Sequence, residues 1–188
     1  MLSVPFCRII PQNSVPIFRR PPKDVQARKN HGYLLEQKEY LKGLVKQLLS
    51  YVDDKGHTLY GFNFIDWPTH FEEGDPDEKK RLDEITGTHA LTVYAVKCAQ
   101  ELLKILGEDD ADCKELLSRL FKTDYLVEKY KQISALKLVA GIGGEKDVDL
   151  IVKGGAKGMS TFMSYFILKG ATEGGYHTES IEMLKDYY

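Results

Sequence analysis

The stretch from about Thr88 to Leu106 most constrains the fold, because apolar residues fall on nearly every side of a helix there: Ala90, Leu91, Val93, Tyr94, Val96, Cys98, Ala99, Leu102 and Leu103 among them. A helix without an adequate polar face has to be surrounded by other helices. Gly107 stops it, and the neighbouring segments supply the partners. Tyr40, Leu41, Leu44, Val45, Leu48, Leu49 and Val52 recur at steps of one, three and four, which predicts an amphipathic helix from about Tyr33 to Val52. Asp109 and Asp110 then offer acceptors for the free N–H groups of a helix carrying Leu116, Leu117, Leu120 and Phe121. Further helices are predicted over about Tyr125 to Val139, Val148 to Val152, Ser160 to Ala171 and Thr178 to Tyr188, with glycine clusters between them. No run shows a period of two. The expected class is all-α, a chain of antiparallel helical hairpins in which buried helices alternate with amphipathic ones.

Residues 1–30 read differently. Five of the seven prolines lie there, and six Lys or Arg face one acid, so the net charge of −2 leaves −7 for the remainder. Proline at that density predicts an extended or disordered basic arm, followed by one domain over 31–188. The overall charge argues against a nucleic-acid partner, and no run reaches the ~18 apolar residues of a membrane span. The first residues lack the order of a secretory signal, which leaves the cytoplasm as the default location. Cys7, Cys98 and Cys113 give neither zinc spacing nor a disulfide framework, and the five histidines have no partner at metal-ligand spacing. An acidic run, Glu72, Glu73, Asp75, Asp77, Glu78, Asp83 and Glu84, reads as a solvated insertion.

Two glycine clusters invite a phosphate-loop reading and fail it. Gly141-Ile142-Gly143-Gly144 follows no strand, and Gly154 to Thr161 does not place lysine and Ser/Thr directly after the final glycine. Both are expected to be tight turns between helices. The segment Phe62-Asn63-Phe64-Ile65-Asp66-Trp67 is more suggestive, since it holds the one tryptophan and sets a carboxylate beside it. An indole face can stack on a pyranose while a carboxylate accepts from its hydroxyls, although an aromatic in such a connection more often packs a loop onto the core. Asp66 is the one carboxylate set tightly among aromatics, and glycoside hydrolysis needs two.

Several pieces resemble, in order, the catalytic domain of bacterial α-L-rhamnosidases, members of the six-hairpin glycosidases. They are Tyr40 to Leu44, Phe62 to Trp67, Ala90 to Ala95, Lys131-Gln132, Gly155 to Met163, and Asp186-Tyr187-Tyr188, together spanning about 150 residues. The resemblance implies part of an (α/α)6 toroid, a rhamnoside ligand, no organic cofactor, and inverting hydrolysis by a general-acid and a general-base Glu. It places Asp66 and Trp67 in the sugar pocket, Asp66 bonding hydroxyls and Trp67 walling the ring, with Phe162 supporting the core. The family's acid-bearing segment has no counterpart in residues 1–38, and its Trp-Glu segment would follow Tyr188. The expectation is therefore an internal portion of the toroid that names no catalytic residue, is inactive alone, and self-associates through open apolar helix faces. The alternative is a non-catalytic helical-repeat module that binds a protein partner in its groove.

Overall fold

The computed structural model describes residues 26–69, 78–123 and 129–188. Among these the protein is all-α, with no strand and one isolated antiparallel bridge between Val52 and Thr58. Eight helices follow one another: α1 (Gln26–Glu36), α2 (Lys38–Ser50), α3 (Glu78–Leu106), α4 (Ala111–Leu120), α5 (Lys131–Val139), α6 (Glu145–Val152), α7 (Ser164–Glu173) and α8 (His177–Tyr187). A single 3-10 turn, Trp67–Thr69, lies between α2 and α3.

The long helix α3 is the hub expected of its composition. Ala90, Val93, Val96, Ala99 and Leu103, at steps of three and four, are buried along one face. Its second apolar face is not left bare, because Tyr94 packs edge-on against Phe166 of α7 with ring centroids 6.1 Å apart. From there α3 packs on α5 and α5 on α7, while α4, α6 and α8 each lie against the helix that precedes them. The chain thus forms three consecutive hairpins, with α2 resting on α3 and α4.

Several boundaries differ from expectation for physical reasons. The first long helix is broken at Gln37, and α1 starts at Gln26, inside the stretch assigned to the basic arm; residues 1–25 lie outside the described residues. α3 starts ten residues before Thr88, so the end of the acidic run is helical, and Asp83 and Glu84 are buried on it rather than solvated. Glu72, Glu73, Asp75 and Asp77 lie outside the described residues. The helix predicted from Tyr125 starts at Lys131, and 124–128 are not described. Cys113 is buried and Cys98 half-buried, and burial pushes both thiols up to about 11, which leaves them unreactive. Cys7 is outside the described residues.

Between α2 and the 3-10 turn the backbone is tied down at three places. Asp53 accepts from the N–H groups of Lys55 and His57 through Oδ1, at 2.9 and 2.8 Å, closing a turn on Gly56. That glycine has a φ of 89° and sits so close to α4 that a Cβ would lie 2.2 Å from the Arg119 carbonyl oxygen. Only glycine fits. Arg119 Nη1 reaches the Val52 carbonyl at 3.2 Å, and Thr123 Oγ1 donates to the Lys55 carbonyl at 2.8 Å, so the turn is fastened to the end of α4. Further on, Ile65 is buried where a Cβ on Gly87 of α3 would lie 2.7 Å from its Cγ1 and 2.6 Å from Ile133 Cδ1. The missing side chain at Gly87 lets loop, α3 and α5 converge at one point.

Candidate functional site

α5 is only nine residues long, yet Lys131, Gln132, Ile133, Ser134, Ala135 and Leu136 are all buried. A helix packed on three sides cannot send its polar groups to water, so each must find a partner inside. Gln132 Nε2 donates to Asp66 Oδ2 at 3.2 Å and to the Gly158 carbonyl at 3.0 Å. Ser160 Oγ donates to the same Asp66 Oδ2 at 2.5 Å and accepts from the Met163 N–H at 3.2 Å. Asp66 Oδ1 accepts from the Trp67 N–H at 3.0 Å, and the Asp66 carbonyl accepts from Thr69 N and Oγ1 at 3.0 and 2.9 Å. Asp66 therefore opens the 3-10 turn as a cap, and Pro68 is tolerated because the first positions of a turn have no use for an N–H.

The two site residues singled out in the sequence play unlike parts. Asp66 is 2% exposed, with three protein donors on its two oxygens, so its carboxylate faces inward instead of presenting oxygens at the surface. Trp67 is 78% exposed. Its ring meets Phe64 edge-on at 5.3 Å, and Phe64 lies parallel to Phe62 at 6.5 Å, so three rings form a short aromatic run on the surface. What the buried cluster does is hold the backbone from which the indole projects.

Phe162, expected to support the core, is instead 60% exposed, two residues beyond Ser160. The core position in that turn belongs to Met163, which is buried. Thr161 Oγ1 and Tyr187 Oη lie 3.0 Å apart, as do Ser164 Oγ and Tyr188 Oη, which seats the end of α8 on the same turn. Sequence reasoning by periodicity missed Gln132, Ser160 and Lys131, because buried polar residues on a short helix look like a solvent face.

The glycine-rich stretch 153–158 is a turn after α6, with positive φ at Gly154, Gly155 and Gly158. Lys131 Nζ donates to the Gly155 carbonyl at 2.6 Å, and burial pushes this ammonium below the ordinary lysine range. At the other end of α5 is a cavity of about 340 Å³, lined by Thr86, His89, Leu120, Phe121, Lys137 and Ile142 with Thr123. Burial first, and then the charge of His57, lower His89 to about 4, so its imidazole is neutral near pH 7. Lys137 is engaged there by Asp147, at 3.0 Å. Among the described residues no group of His, Cys, Asp or Glu is placed to hold a metal ion, and no helix is long and apolar enough to cross a membrane.

A scan against protein-family models returned no match, and neither did searches of curated proteins and of solved structures.

Proposed function

We propose that this chain is a carbohydrate-binding helical-hairpin domain of the α-L-rhamnosidase type, with Trp67 as the stacking wall for a deoxyhexose and Asp66 as the residue that positions it. One observation carries the reading. Three of the pieces that carry the resemblance, Phe62 to Trp67, Lys131-Gln132 and Gly155 to Met163, lie far apart in sequence and meet at the Asp66 carboxylate. A fourth, Asp186-Tyr187-Tyr188, closes on the same turn through its two phenol groups. Succession of α3, α5 and α7, each backed by the next helix in sequence, suits a segment of an inner and outer ring, and the proposal takes these hairpins as part of an (α/α)6 toroid.

Binding, rather than turnover, is what these residues support. Inverting hydrolysis needs an acid and a base about 6.5–9.5 Å apart, one on each side of the scissile bond. Asp66 is the carboxylate hydrogen-bonded into this cluster, and its oxygens are occupied by protein donors. The alternative of a peptide-binding repeat module has no use for the indole that this cluster holds out at the surface. Titration with L-rhamnose tests the proposal: quenching or shift of the single tryptophan's emission is expected, weakened by Phe64→Ala, with no release of nitrophenol from an aryl α-L-rhamnoside. Emission that ignores the sugar would contradict it.

A further inference from the structure

Two lysines on α5, Lys131 buried and Lys137 partly buried, are treated differently. Lys137 pairs with the Asp147 carboxylate at 3.0 Å. Lys131 is 8% exposed, and the hydrogen bond shown for its ammonium goes to a backbone carbonyl, that of Gly155. An ammonium has three donors, and a carbonyl offsets the burial of a full charge poorly. Burial alone shifts this group, with no carboxylate among the described residues pulling it back.

The turn on which the Lys131 ammonium rests is rich in glycine and bears Lys153 and Lys157. Lys169, further along, is already paired with Glu173. A Cβ built on Gly154, Gly155 or Gly158 would meet nothing within 4 Å, so there is room beside the turn that holds the Lys131 ammonium. Asp66, the nearby anion of the cluster, is already held by Trp67 N, Gln132 and Ser160. Gln132 joins the two features, since it follows Lys131 and reaches both Asp66, next to Trp67, and Gly158.

Building on the carbohydrate reading, we infer that Lys131 receives the carboxylate of an acidic sugar residue, a uronic acid neighbouring the ring stacked on Trp67. The ligand class is thus an acidic rhamnose-containing saccharide and not a neutral glycoside. The anion enters across the glycine turn and takes the two ammonium donors that Gly155 leaves.

The test follows Trp67 emission near neutral pH with a rhamnosyl-glucuronic acid disaccharide and with its methyl ester. The parent is expected to bind the acid about tenfold more tightly than the ester. Lys131→Met is expected to bring the two to parity, and both Lys131→Arg and Lys157→Ala keep the preference. Equal binding of acid and ester by the parent overturns the inference, as does a preference that survives Lys131→Met or vanishes in Lys157→Ala; rhamnoside binding by the ester still upholds the carbohydrate reading in those cases. If neither saccharide changes the emission, the carbohydrate reading fails and the inference with it. Should Lys131→Met not fold, the parent and the Lys157→Ala variant decide between these outcomes.

Discussion

The two ends of α5 solve the same problem in opposite ways. At the C-terminal end Asp147 is buried and accepts from Ser134 Oγ at 2.8 Å, Lys137 Nζ at 3.0 Å and the Gly144 N–H at 3.0 Å, so charge, hydroxyl and backbone are satisfied together. At the N-terminal end Asp66 is equally well held, but its neighbours are not closed off: an indole projects into solvent and an ammonium rests on a carbonyl. Closed networks stabilise, whereas open groups are where a ligand can add something. The contrast assigns stability to one end of a nine-residue helix and, on the proposed reading, recognition to the other.

The largest effect should come from opening the closed end. Asp147→Ala strands Lys137 and removes the acceptor from Ser134 and Gly144, and a loss of about 3–5 kcal/mol in urea unfolding is expected. His89, at the cavity by Lys137, sharpens the picture through pH. Its folded value of about 4 lies below the unfolded 6.5, so the unfolded chain takes the proton first as pH falls. Stability should be full above about 6.5 and drop by up to about 3 kcal/mol down to about 4, and His89→Phe should flatten that slope in unfolding curves.

At the open end the effects should be smaller. Asp66→Asn replaces one acceptor oxygen by an amide that cannot accept, and is expected to cost about 2 kcal/mol and to weaken rhamnose binding, seen by calorimetry, because Trp67 loses its fixed backbone. Lys131→Met should change stability by no more than about 1 kcal/mol, while Lys137→Met costs about 3 kcal/mol or more. The sign with pH is distinctive too. With its folded value below 10.5, Lys131 opposes folding while both states are charged, and that penalty is relieved as pH rises toward 10.5, a rise absent from Lys131→Met.

The same contrast explains what was legible in the sequence. Apolar spacing predicted the hub and its partners because Val93, Val96 and Leu103, or Leu116 and Leu120, are buried for reasons that hydropathy registers. It could not predict that Asp83 and Glu84 are inside, or that Lys131, Gln132 and Ser134 are, since their burial depends on partners supplied by distant segments. Asp66 and Trp67 were marked by residue type alone. Their division into an inward anchor and an outward ring depends on Gln132 and Ser160, which lie 66 and 94 residues away.

The most direct test is an NMR titration of the whole chain with L-rhamnose, following assigned indole, amide and side-chain signals. Shifts confined to Trp67, Phe64, Gln132 and Ser160, with Ser134, Gly144 and Asp147 unmoved, are the predicted result. Shifts centred on Asp147 and the His89 cavity, or none at any sugar concentration, would contradict the division of α5 into a closed end and a recognising one.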